Sequence, residues 1–148
     1  MTPMHRKAKL DDAVRLFNLR RESILALAPK RMSVAQSVSW ATKITIEGME
    51  QRMREAEVWV AEVNGAIVGW IAIRGNYIDG LYTDPDFVER GVGTELLGLA
   101  ERLMRDAGVE VVRLEASCNA EEFYLRRGYE PTGPRSMDEA RPLMKRLV

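Results

Sequence analysis

A mixed α/β fold, one sheet carrying helices on its faces, is predicted by three observations. Hydrophobic residues recur at helical spacing before residue 57 and in strand-like runs after it; Asn64-Gly65 joins two of those runs; and a strand, a helix and a second strand follow one another over residues 77–116. Asn-Gly between Val- and Ile-rich runs is the strongest short-range hairpin signal, so residues 57–75 read as an antiparallel pair. A strand-helix-strand unit of crossover length sets its two strands parallel and adjacent. Antiparallel and parallel pairs in one chain make a mixed sheet.

The elements follow in order. "MHRKAK" reads as a short edge strand. "LDDAVRLFNLRRESILAL" reads as a helix: Asp11 or Asp12 can cap it, Ala13, Leu16, Phe17, Ile24 and Leu27 share a face, and Pro29 stops it. A second helix starts at Ser33, where "SVAQ" matches the Ser-x-x-Gln capping box, and carries Trp40. "TIEGMEQRMREA" is a third helix, weakened by Gly48. After the hairpin, "YIDGLYT" is a strand ended by the turn "DPDF". A helix then runs to about Ala107 with Leu96, Leu97, Ala100, Leu103, Met104 and Ala107 on one face and Gly108 as its C-cap. "VEVVRLEA" is a strand parallel to "YIDGLYT", "AEEFYLRRG" a short helix, and "YEPTG" and "RPLMKRLV" two closing strands.

Composition narrows the function. The 148 residues fit one domain, 1–148, with a real core and little room for a second. Net charge is zero, 22 Lys plus Arg against 22 Asp plus Glu, so no global field draws the chain to nucleic acid. One cysteine, Cys118, and one histidine, His5, argue against an internal disulfide, a zinc site and a Ser-His-Asp triad. No stretch resembles a signal peptide or a membrane span. The expectation is a cytoplasmic protein with neither metal nor membrane association.

The segment "VERGVGT" lies where the third strand of the hairpin region meets the next helix. Glycines at 91 and 93 would let the backbone approach a ligand, and the first helical N–H groups point out unpaired at the positive end of the helix dipole. An anion suits that place. Spacing excludes a P-loop, which needs G-x-x-x-x-G-K-[ST], and a dinucleotide fingerprint, since Leu96 stands where a third glycine would be. Alternatively, the two glycines only make a tight corner.

"YTDPDFVERGVGTELL" resembles the motif of GNAT-type N-acetyltransferases, [Q/R]-x-x-G-x-[G/A], laid over Val88 to Gly93. Val88 replaces the leading Gln or Arg, while Arg90 supplies a basic residue before the first glycine. "LEASCNAEEFYLRRGYEPTG" resembles the family's "S-x-N-A-x-x-F-Y-x-x-x-G-[F/Y]" segment, and the likeness spans nearly the whole chain in order. It implies a mostly antiparallel sheet of six to seven strands with one splayed parallel pair. It also implies acetyl-CoA as cosubstrate, bound where "YIDGLYT" and "VVRLEAS" part.

Leu81, Tyr82 and Thr83 would then pair with the pantetheine amides in place of a strand, and Glu89, Arg90, Gly91, Val92, Gly93 and Thr94 would hold the pyrophosphate. Many members carry Asn seven residues before the tyrosine, which is Ser117 here; Asn119 lies five before it, and either could bind pantetheine. Transfer of an acetyl group to an amine needs a neutral amine, a stabilised oxyanion and a proton for the leaving thiolate. By resemblance Tyr124 is the general acid; a half-buried core tyrosine is the bland alternative. Backbone N–H around Leu81 or Tyr82 could polarise the carbonyl.

Asp79, two residues before Leu81 and so on the same face of a regular strand, is the candidate base, with a solvated or paired edge carboxylate as its alternative. Glu62 and Glu115 are further options, and an amine that loses its proton in solution needs none. Cys118 reads as a small buried filler, and Trp40, Met32 and Met49 as core residues that could instead line an acceptor pocket. The acceptor is a small-molecule or protein amine, and a homodimer is left open. A second class of function is a non-catalytic acyl-CoA-binding or regulatory partner-binding module of the same fold, which would not need the Tyr124 phenol.

Overall fold

The computed structural model describes residues 2–27, 33–88, 90–137 and 139–148, with the backbone alone at Leu27, Gln36, Ser37 and Trp40. Pro29, Met32 and Glu89 of the sequence reading lie outside these residues, as do the side chains of Gln36 and Trp40.

Strand β1 (Met4–Lys7) leads through a 3₁₀ turn to α1 (Ala13–Leu27), followed by α2 (Val34–Ala41) and α3 (Ile46–Glu55). Gly48 does not prevent α3. The Thr45 side chain caps the helix by accepting the Gly48 N–H at 3.0 Å, and Met49, fully buried, anchors its apolar face.

Strands β2 (Glu57–Val63) and β3 (Ala66–Arg74) form the expected hairpin. Asn64 and Gly65 take φ of 53° and 81°, the positive values that a two-residue primed turn requires. Next come β4 (Tyr77–Thr83), α4 (Val92–Asp106), β5 (Val111–Ala116), α5 (Glu121–Leu125), β6 (Glu130–Pro131) and β7 (Arg141–Arg146). The sheet order is β1-β2-β3-β4-β5-β7-β6, with β1 on the edge. All neighbours are antiparallel except β4 and β5, which are parallel as the crossover predicts.

Two cores cover the two faces. On one, Val68, Ile71 and Ile73 of β3 pack with Leu96, Leu97, Ala100 and Met104 of α4. On the other, Val58, Val60, Trp70 and Ala72 pack with Leu16 and Leu19 of α1 and Met49 of α3. Because β3 is covered on both sides, its seven inner residues are all buried, and its apolar run is unbroken rather than alternating. Trp70, fully buried, donates its indole N–H to the Leu16 carbonyl at 3.1 Å, so its one polar atom is satisfied.

Candidate active site

Strands β4 and β5 pair over only two positions, Tyr77 with Arg113 and Ile78 with Leu114. Beyond Ile78, β4 continues to Thr83 against β3 alone, while β5 continues to Ala116 against β7. The β4 groups that point toward β5 after that position therefore have no strand partner. A cleft of about 1110 Å³ opens there, reaching from the start of α4 to the wall formed by α1, residues 43–44 and α3.

The glycine bend forms one end. Asp84 accepts the Asp86 N–H, a 3₁₀ turn spans Pro85–Phe87, and Gly91 takes φ 83° as the N-cap of α4. The Glu95 N–H donates to the Gly91 carbonyl as the first helical bond, so Val92, Gly93 and Thr94 present N–H groups without an intrahelical acceptor. The two glycines have different reasons. Among the described residues a Cβ on Gly91 would meet nothing within 4 Å: the residue is needed for its left-handed backbone, and the space above it is open to those residues. A Cβ on Gly93 would stand 3.3 Å from Phe123 Cζ, so this glycine lets the α5 ring pack against the helix start. The Arg127 guanidinium lies over that ring, 3.8 Å from its centroid, and donates to Thr94 Oγ1 and to the Phe123 carbonyl. Bend and α5 are thus one unit.

Leu81, Tyr82, Thr83, Gly91, Val92, Gly93, Thr94, Ser117, Asn119 and Tyr124 all line the cleft. Arg90 does not; its guanidinium lies 5.2 Å over the Phe87 ring. Cys118, expected to be buried, is half-buried. Tyr124 is 6 % exposed and meets Phe123 and Tyr129 edge-on, at centroid distances of 5.2 and 5.5 Å. Burial pushes its phenol well above the usual tyrosine range, with the Tyr82 and Tyr77 phenols adding to the effect. It holds its proton throughout the neutral and mildly alkaline range.

Asp79 departs from the expected geometry. The β3–β4 register slips between Ala72 and Ile73, a bulge that breaks alternation at this residue. Leu81 packs into the α4-side core, whereas the Asp79 carboxylate turns to α3, 3.4 Å from Arg52 Nε and 3.4 Å from Arg74 Nη2. The two residues do not share a face. Glu62 is ion-paired with Arg6 and lies away from the cleft. Glu115 lines it, and alternation along β5, with Val112, Leu114 and Ala116 in the α4-side core, turns Glu115 to the α3 side. Met49 is a core residue outside the cleft lining.

Sequence reasoning missed Arg20, Lys43, Arg52, Tyr77 and Arg127, all in the cleft wall. Two left a signal. Arg20 falls between Leu16 and Ile24 on the apolar stripe of α1, and Arg52 falls three residues after Met49 on that of α3. A cation at a core position calls for a partner or a ligand.

A parallel pair that parts after two positions opens beside a helix start whose first N–H groups have no intrahelical acceptor. Residues 29–143 match the family described as acetyltransferase (GNAT) domain, and the chain belongs to it. It is 31% identical over 108 residues to the uncharacterized N-acetyltransferase YafP of Escherichia coli K12, a match covering 73% of this chain and 68% of that one. It is also 31% identical over 86 residues to the peptidyl-lysine N-acetyltransferase YjaB of Salmonella typhimurium, covering 57% of this chain and 58% of that protein. A GCN5-related N-acetyltransferase structure from Rhodopseudomonas palustris superposes with a TM-score of 0.91 at 28% identity, over 99% of this chain and 96% of that one. The fold is shared with PaiA N-acetyltransferase of Thermoplasma acidophilum, solved in complex with coenzyme A, at TM-score 0.84 and 22% identity over 99% of both chains. Among the described residues no group of three or more His, Cys, Asp or Glu is placed to hold a metal, and no helix is long and apolar enough to cross a membrane.

Proposed function

We propose that the chain transfers an acetyl group from acetyl-CoA to the amine of a small molecule or protein. The observation that carries this reading is the cleft itself, in which an unpaired strand edge, an open helix start and a buried phenol lie along one path. The residues fit the coenzyme. Open space above Gly91 and the N–H groups of Val92, Gly93 and Thr94 suit the pyrophosphate. The free edge of β4 at Leu81, Tyr82 and Thr83 suits the pantetheine amides, with Ser117 and Asn119 on the opposite side. Bound there, the thioester supplies an acetyl group that leaves sulfur for the amine nitrogen.

The chain's own groups do the rest. Backbone N–H at Leu81 or Tyr82 polarises the carbonyl oxygen. Tyr124, kept protonated by burial, donates to the departing sulfur. Asp79, the candidate base, is turned to α3 and held in ion pairs with the guanidinium groups of Arg52 and Arg74. We therefore give Asp79 the task of holding Arg52, and let the amine arrive neutral from solution or pass its proton to Glu115.

Calorimetry with acetyl-CoA and a free-thiol assay over an amine panel test the reading. Tyr124→Phe is expected to leave coenzyme affinity nearly unchanged and to lower turnover by about 10²-fold or more. Undiminished turnover would remove the acid role, and absence of saturable coenzyme binding to the unmodified protein would remove the function.

A further inference from the structure

The wall of the cleft across the sheet from α4 is unusually cationic for a site said to receive an amine. Arg20, Lys43 and Arg52 all line it, against the carboxylates of Asp79 and Glu115. The Asp79 charge is shared between Arg52 and Arg74. Arg20, 4 % exposed, lies 5.6 Å from the Tyr82 ring and donates to the Ala41 carbonyl.

Arg52 is the most informative of the three. Its Nε faces Asp79, its guanidinium lies 6.0 Å over the Trp70 ring, and its Nη1 is buried without a hydrogen-bond acceptor among the described residues. A buried charged donor left without an acceptor is costly, and an oxygen from a ligand in the cleft would satisfy it. Glu115 faces the same side of the sheet from β5 and makes no ion pair among the described residues. Cation and carboxylate together complement a zwitterion.

Building on the acetyl-transfer reading above, we propose that the acceptor is a small amine bearing a carboxylate, an amino acid in chemical class, and that Arg52 receives the carboxylate through Nη1. A polyamine or aminoglycoside would instead bring additional positive charge against Arg52, with Glu115 as the carboxylate of this wall that makes no ion pair among the described residues. Arg52, Glu115 and Tyr124 line the same cleft, so an acceptor anchored at Arg52 has its amine within the space that the other two border.

The test compares matched acceptors by free-thiol release with acetyl-CoA: amino acids, their carboxamides, the corresponding decarboxylated amines, and spermidine. A carboxamide's amine is less basic than that of the parent acid, so a preference for the acid does not arise from a larger neutral fraction. At least one acid should exceed its amide by tenfold or more in kcat/KM. Arg52→Gln should bring that ratio toward one, and Arg52→Lys should retain part of it, with coenzyme affinity unchanged in both. Thermal melts establish that each variant is folded, and Arg52→Lys carries the test if Arg52→Gln is not. Amides or spermidine used as well as the acids, no acid consumed, or an acid preference that survives loss of the guanidinium would each overturn the proposal. Coenzyme titration of the unmodified protein separates the two levels. Binding retained alongside any of these results overturns the acceptor class alone, and no binding overturns the acetyl-transfer reading with it.

Discussion

Replacing Gly91 separates a cradle from a corner. At φ 83° an L side chain costs about 1–2 kcal/mol. Part of this is offset because alanine has about 0.4–1 kcal/mol less chain entropy to lose than glycine. Gly91→Ala should therefore destabilise by roughly 1 kcal/mol, or about 2–4 °C in Tm for a chain of this size. Gly91→Asn should cost less, because asparagine tolerates the left-handed region.

No atom of the described residues lies within 4 Å of the new Cβ, so the alanine methyl has no packing clash among them, and a side chain here enters the space over the helix start. If a pyrophosphate sits there, both variants should weaken acetyl-CoA binding at least tenfold, about 1.4 kcal/mol, by calorimetry. The asparagine variant is the sharper case, since it pairs a near-normal melt with a large loss of affinity. Unchanged affinity in both would mean that Gly91 serves only the chain's own path. Gly93→Ala makes a useful contrast, because its methyl would press on Phe123 at 3.3 Å rather than on ligand space.

Two further outcomes follow from packing and ionisation. Gly69→Ala would put a methyl 2.8 Å from Val92 Cγ1 and 3.2 Å from the Tyr82 carbonyl, so urea titration should show a loss of about 1–3 kcal/mol, with weaker coenzyme binding because Val92 opens α4. A loss below a few tenths of a kcal/mol would contradict that contact. Burial raises the phenols of Tyr124 and Tyr129, and Glu101 raises Tyr129 further, so both stay protonated when folded, while tyrosines of the unfolded chain ionise near their ordinary value of about 10. Stability is then full below about pH 10 and falls above it, by about 1.4 kcal/mol per pH unit for each tyrosine. Tyr129→Phe should remove one tyrosine's share of that slope in urea titrations between pH 10 and 12, and an unaltered slope would refute the assignment.

Much of the architecture was legible because local chemistry and global topology agree. Asn64-Gly65 dictates a turn whose twist suits a hairpin, and the strand-helix-strand unit dictates the parallel pair. What escaped depends on contacts distant in sequence. The bulge that turns Asp79 to α3 is a property of two strands together, so simple alternation placed it on the wrong face. Arg20 and Arg52 sit on apolar stripes, and only the fold reveals that those stripes border a cleft. Gly91 and Gly93 look alike in sequence, yet one answers to backbone conformation and the other to the ring of Phe123 thirty residues away.

The two-position seam between β4 and β5 makes the sheet resemble an open book, with β1 to β4 as one leaf and β5, β7 and β6 as the other. A ligand laid along the free margin of β4 would act as the missing stitch. Occupancy and mechanical integrity of the molecule are thereby linked: whatever fills the gutter also binds the leaves, and the stabilisation grows with the logarithm of its concentration.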